Sequence, residues 1–228
     1  MADAAIIGEW SRRVEAEYRS AAHANCLTGW LIEIGASPDL IRDGLRIAGD
    51  ELTHAELSAE VVAKAGGALT EPVRRETLTL TRDEPVERAV FRATIEIFCL
   101  GETLAVPLFR RMLAGAREPV AVAALRRILA DEVRHRAFGW DVLEALMEGP
   151  ARAVGASVIA LDFSGMLRRV RDAYGMGTIR EIPTEWRAWG LIAPGEYADE
   201  FRRLEKTFAK VRRYSDNEAQ SSPPEATS

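Results

Sequence analysis

Asp50-Glu51-Leu52-Thr53-His54 and Asp131-Glu132-Val133-Arg134-His135 spell one Asp-Glu-x-x-His string twice. The chain has three histidines, and two of them stand in these repeats. A single Glu-x-x-His is weak evidence, because the pair falls at that spacing by chance. Two copies in the middle of two long helical segments are specific. Residues three apart share a helix face, so each glutamate and its histidine reach one point. A carboxylate can bridge two metal ions, whereas an imidazole nitrogen serves one. The two strings therefore offer two bridging glutamates, Glu51 and Glu132, and one histidine per ion, His54 and His135.

On either side of these strings, stop signals cut the chain into long helical segments. The first runs from about Ala4 to Ile34 and ends at Gly35-Ala36-Ser37-Pro38. Ser37 is read as the cap of the second helix, with Pro38 at its first position, where a missing N–H costs nothing. That helix runs to about Ala65 and stops at Gly66-Gly67. Residues 66–84 form a long polar connection, with an alternating Thr77–Thr81 that has no second strand to pair with. Asp83 or Glu84 before Pro85 opens the third helix, which ends near Ala114-Gly115. The fourth begins at Glu118-Pro119 and ends at Glu148-Gly149-Pro150. Each segment is about 27 to 31 residues, roughly 40–45 Å long. Two hairpins joined by one long crossover give an all-α four-helix bundle in which the repeats fall on the second helix of each hairpin. A fifth helix (about Ala151 to Tyr174) and a sixth (about Pro194 to Tyr214) extend it, making one domain over 1–214 with the bundle at about 4–148. The Ser- and Pro-rich 215–228 reads as a disordered tail.

Each ion still needs a terminal carboxylate from the other two helices, at the same height. Helix one offers Glu9, Glu15, Glu17 and Glu33; helix three offers Glu87, Glu96 and Glu102. Glu17 precedes Glu51 by 34 residues and Glu102 precedes Glu132 by 30, each pair with its turn near the midpoint. Glu96 would sit about 9 Å higher. Glu17 and Glu102 are therefore assigned, with Glu15 a near alternative two residues off. Four carboxylates at this depth need cations to offset them. A metal-bound histidine commonly donates its other N–H to a carboxylate, which gives Asp50 and Asp131 a place: Asp50 facing His135, Asp131 facing His54.

Composition narrows the function classes. The net charge is −5, against the basic balance of a nucleic-acid binder. Cys26 and Cys99 form no CxxC, so neither a disulfide framework nor a zinc knuckle is available, and a reducing cytoplasm is the expected setting. The first residues show no basic stretch followed by an apolar core, so no secretory leader is expected. The apolar stretch Ala153–Leu167 is too short to span a bilayer and contains Asp162, so no membrane partner is expected.

With its paired Asp-Glu-x-x-His strings and the two further glutamates, the chain resembles the ferritin-like di-iron carboxylate superfamily over roughly residues 5–148. The resemblance implies Glu17, Glu51, His54, Glu102, Glu132 and His135 as ligands of two iron ions, with Mn/Fe or Mn/Mn pairs as alternatives. It implies an oxygen-activating oxidase or oxygenase that takes dioxygen and a small organic substrate. Electrons would come from an external ferredoxin or reductase, since no flavin or iron–sulfur motif is visible. A monomer or homodimer is the expected assembly. Two alternatives stay open: a ferroxidase that stores or detoxifies iron in a shell, and a non-catalytic scaffold with a structural metal site. The chain lacks a four-cysteine rubredoxin module, and its helices after Pro150 are not a ferritin feature.

Several residues carry two readings. His23 is either an extra ligand or a partly buried histidine. Cys99, Phe98 and Phe138 either line a cavity or pack the core. Gly101 and Pro107 loosen the third helix beside Glu102. The Trp-containing stretch Ile182–Trp189 is either a lid over the bundle or ordinary packing of the C-terminal helices. Arg110-Arg111, Arg126-Arg127 and Arg168-Arg169 read as solvated faces.

Overall fold

Asp3 opens the first helix, α1 (Ala4–Glu33): its carboxylate accepts the Ala5 N–H at 2.8 Å and satisfies one of the orphan donors of the first turn. At the other end Gly35 takes a φ of +74°, and the Gly35 and Ala36 N–H groups fold back onto Ile32 and Leu31. The computed structural model describes residues 3–69 and 73–219. Helix α2 (Pro38–Lys64) follows with Pro38 in its first turn. Ser37 stands at the capping position, but its hydroxyl makes no capping hydrogen bond, contrary to the expectation from sequence. Proline at the first helical position already removes one donor that a cap would satisfy.

After α2 the chain stops at Gly66, φ +85°, and crosses over through irregular backbone with one 3₁₀ turn, Arg75–Thr77. No strand forms at Thr77–Thr81. The third rod starts at Val86 with Pro85 before it, and Glu84 does not cap it. Its carboxylate is drawn to Arg88 (3.3 Å) and Arg92 (2.9 Å) instead.

This rod is three pieces in one line: α3 (Val86–Ala93), a π-helical segment (Thr94–Glu102), and α4 (Thr103–Gly115). In π geometry each N–H bonds five residues back. Pro107 has no N–H to give the Glu102 carbonyl, so that register cannot run on, and the helix returns to α from Thr103. The widened segment makes room for α5 (Pro119–Glu148), which approaches it closely. A Cβ on Gly139 would lie 2.5 Å from Phe98 Cβ and 2.7 Å from the Phe98 carbonyl carbon. The Cys99 thiol donates to the Gly139 carbonyl across this contact, at 3.2 Å.

Helix α1 packs chiefly on α2, α2 on α5, and α5 on the π segment and α4. Two apolar clusters fill the space between the rods. One holds Ile6, Trp10, Val61, Leu104 and Leu125; the other holds Leu27, Leu31, Ile47, Phe98, Phe138 and Val142. Along α1, α2 and α5, the residues between the two clusters are Glu17, Glu51 with His54, and Glu132 with His135. A polar layer is thus sandwiched between two dry ones. Phe98 and Phe138 stack edge-to-face at 5.2 Å in the second cluster, which makes them core residues.

Helices α6 (Arg152–Ala173) and α8 (Pro194–Ala219) pack on each other and against the third rod. The five-residue α7 (Thr184–Ala188) lies between them. Helix α8 continues to Ala219, past the expected stop near Tyr214, so residues 215–219 are helical; the rest of the expected tail, 220–228, lies outside the described residues. The Trp-containing stretch packs at one end of the rods. Trp10 Nε1 donates to the Trp189 carbonyl at 3.0 Å, and the Ala188 carbonyl caps the Arg117 and Glu118 N–H groups. The arginine pairs divide their labour: Arg111 joins Glu196 and Glu200 of α8, Arg169 joins Glu96 and Asp162, and Arg127 joins Asp131. No helix of the described residues is long and apolar enough to cross a membrane.

Candidate metal centre

Four rods bring six side chains to one buried layer. Glu17, Glu51, His54 and Glu132 each offer a ligand atom within 4.8 Å of the others; so do Glu51, Glu102, Glu132 and His135. The two groups share Glu51 and Glu132. All six residues are buried, both histidines completely. The arrangement can hold a metal ion.

The ring nitrogens are sorted by their surroundings. His54 Nδ1 points inward, 3.5 Å from Glu51 Oε2, 3.7 Å from Glu132 Oε1 and 4.0 Å from Glu17 Oε2. His135 Nδ1 does the same, 3.0 Å from Glu51 Oε1 and 3.7 Å from Glu132 Oε2. The two rings lie 5.6 Å apart. The outer nitrogens face the aspartates: His54 Nε2 is hydrogen-bonded to Asp131 at 3.0 Å, and His135 Nε2 stands 3.5 Å from Asp50. Which nitrogen faces inward was not readable from sequence.

The fit to cations shows in atoms left without partners. His54 Nδ1, His135 Nδ1, Glu51 Oε2 and Glu132 Oε2 are buried and form no hydrogen bond, the His135 contact to Glu51 being close but misaligned. Buried polar atoms are rarely left so. These four, of eight such side-chain atoms among the described residues, belong to the two groups and converge.

The protein alone pays heavily for this layer. Burial, then the charge of Glu51, pushes the Glu17 carboxyl well above its usual range. Burial, then Glu102, does the same to Glu132, and burial raises Glu102. Burial pushes on Glu51 as well, but its contacts with His135 and His54 prevail and hold it at about 2. Burial opposes the charged imidazoles, yet Glu51 outweighs it, and both histidines are raised. Asp131 is held at about 2: burial works against its charge, and hydrogen bonds from Arg127, His54 and Arg134 overcome it.

Arg127 and Arg134 are the parts that sequence reasoning missed. They stand four residues before and three after Asp131 on one helix face, a spacing that could have identified them. Arg127 Nε reaches Asp131 at 2.6 Å and Arg134 Nη2 reaches it at 2.6 Å, and both also reach Asp50, at 3.4 and 3.1 Å. Tyr174, at the end of α6, was also missed; its hydroxyl donates to the Gly101 carbonyl at 3.1 Å, one residue before Glu102. No sequence signal links these two.

Glu9, Glu15, Glu33, Glu87 and Glu96 are not in the two groups; Glu9 pairs with Arg12, Glu15 with Arg74, Glu33 with Arg82 and Glu96 with Arg169. His23 is not with the cluster. Its Nε2 lies 3.0 Å from the Thr77 carbonyl and ties the crossover to α1. Cys26 is half-buried, and Cys99 is buried in the first apolar cluster. No family model matches the chain, and neither a curated protein nor a solved structure matches it.

Proposed function

We propose that the chain is a ferritin-like di-metal carboxylate protein that activates dioxygen to oxidise a small organic substrate. The observation that carries this reading is the pair of ligand groups sharing Glu51 and Glu132, with unpartnered donor atoms converging on them. In it Glu17, Glu51, His54 and Glu132 would hold one ion and Glu51, Glu102, Glu132 and His135 a second, the two groups having Glu51 and Glu132 in common. Carboxylate and imidazole donors suit iron or manganese better than softer-ligand metals. Such ions, when bound, supply the electrons and the open positions at which dioxygen is reduced.

The protein's own residues do the rest. Asp131 orients the His54 imidazole and keeps a proton on its outer nitrogen, while Asp50 faces the outer nitrogen of His135 from a longer distance. The apolar layers above and below exclude water from the centre. Helices α6 and α8 cover the third rod, which supports an enzyme over a shell-forming storage protein, whose subunits need outer faces for packing. Electrons for turnover come from an external ferredoxin or reductase.

The test is oxygen uptake by protein loaded anaerobically with ferrous ion, together with its elution volume. Uptake faster than that of free ferrous ion, absent in a Glu51→Ala/His135→Ala variant, with elution as a monomer or dimer, is expected. Uptake no faster than free iron would contradict the reading. Elution as a large shell would replace it with iron storage.

A further inference from the structure

Among the described residues Arg13 is the one buried arginine, and no carboxylate lies within ion-pair distance of it. Its side chain sits in α1 with the residue only 7% exposed. Nη1 has no hydrogen-bond partner at all. Nη2 meets only the thioether of Met112, a weak acceptor, at 3.2 Å. The guanidinium lies 4.3 Å from the Trp10 ring centre and 5.3 Å from that of Phe109. Aromatic faces offset part of the cost of burying a cation, but arginine is almost never buried unless paired. Glu17, one turn on, feels the charge of Arg13, but no oxygen accepts from its guanidinium fork, and Nη1 is left open to an acceptor that the protein does not supply.

The position narrows the ligand. Arg13 precedes Glu17 by four residues and shares its helix face, about 6 Å away along the axis. Its planar fork matches a carboxylate through two parallel hydrogen bonds. Trp10, Phe109 and Met112 around it are flat or flexible apolar groups that suit a carbon skeleton.

We propose that Arg13 anchors the carboxylate of the substrate, so that the substrate class is a small organic acid. The acid group sits in the fork between Trp10 and Phe109, and the far end of the molecule faces the Glu17 side of the centre, one helical turn away. This rests on the oxygen-activating reading given above, and it adds a specificity-determining residue and a substrate class to it.

The experiment uses the metal-free full chain, so that added acids cannot coordinate bound metal. The thermal midpoint is measured with acetate, butyrate and benzoate, each beside its neutral amide, and with chloride. At about ten times its Kd, at least one acid raises the midpoint by about 3 °C, while its amide and chloride do not. The shift disappears in Arg13→Gln and shrinks in Arg13→Lys, which keeps the charge and loses the fork. Equal shifts from acid and amide, an equal shift from chloride, a shift that survives in Arg13→Gln, or no shift from any acid would overturn the proposal. Should Arg13→Gln not fold, as judged by circular dichroism, Arg13→Lys decides: an undiminished shift overturns it. Metal content of the same proteins is read separately. Unchanged loading in Arg13→Gln is expected. Loss of metal there, with no acid effect in the natural protein, would make Arg13 a mere counter-charge to Glu17. Failure of every protein to bind metal would sink the oxygen-activating reading and leave the acid-binding result standing.

Discussion

Replacing Asp131 and Asp50 one at a time should weaken metal binding unequally, and the geometry says by how much. Asp131 is 2% exposed, accepts from His54 Nε2 at 3.0 Å, and is kept ionised by Arg127 and Arg134. Asp50 stands 3.5 Å from His135 Nε2, too far for a good hydrogen bond, and its other partners are the half-exposed arginines. Losing the carboxylate behind a metal-bound histidine costs about 10–100-fold in affinity, or roughly 1.4–2.7 kcal/mol. Asparagine keeps an acceptor for His54 but loses the charge, so Asp131→Asn falls near the tenfold end. Leucine leaves a buried N–H without a partner, so Asp131→Leu falls near the hundredfold end and also lowers stability by about 1–3 kcal/mol. Asp50→Asn costs less than Asp131→Asn. Competition against a metallochromic chelator, with manganese or with anaerobic ferrous ion, reads all three. An Asp50→Asn loss equal to that of Asp131→Asn would refute the reasoning, as would an Asp131→Leu protein with natural affinity.

Three further outcomes follow from the packing and charge of the centre. Gly139→Ala drives a methyl into the Phe98 backbone, so it should cost about 1–3 kcal/mol and reduce metal affinity through the π segment that carries Glu102; Gly49→Ala, with open space around it, should cost nothing in thermal unfolding. Tyr174→Phe removes the bond to the Gly101 carbonyl and should lower stability by about 0.5–1.5 kcal/mol in calorimetry. In the metal-free protein Glu17 and Glu132 keep their protons above the unfolded range, so their contribution is lost as pH rises from about 4.5 through the raised folded values. The raised His54 and His135 act in the same direction above about 6.5, whereas Glu51 and Asp131, held at about 2, lose their contribution only toward strong acid. The midpoint of the metal-free protein should therefore fall as pH rises above the ordinary carboxylate range, and metal loading should release protons and remove most of that slope; a flat profile would contradict the buried-carboxylate account.

The centre was legible because its chemistry is local on each helix. Glu51 with His54 and Glu132 with His135 are readable from the three-residue period alone, and Glu17 and Glu102 follow from helix rise and turn position. The main helix boundaries were legible for a similar reason, since Gly35, Gly66 and the prolines act on the chain next to them. What escaped depends on distant parts of the chain. The π-helical Thr94–Glu102 answers to the close approach of Gly139, forty residues on. Asp83 or Glu84 is the expected opening of the third helix, but Pro85 stands at the capping position and Arg92 and Arg88 draw the Glu84 carboxylate away. Arg111 and Arg169 read as solvated, yet their partners sit in α8, the π segment and α6, elements whose docking no local pattern records. That Arg13 is buried without a carboxylate in its fork is invisible in sequence for the same reason, because only the assembled rods show what surrounds it.

The central claim is that the shared-glutamate layer holds a pair of metal ions. Metal content per chain, measured by plasma mass spectrometry on protein grown with iron and manganese, tests it most directly. The account predicts about two ions of iron or manganese per chain, lost together in a Glu51→Ala/His135→Ala variant, since Glu51 belongs to both ligand groups. Protein that folds with no bound metal under these conditions, or a variant that keeps the full complement, would contradict it.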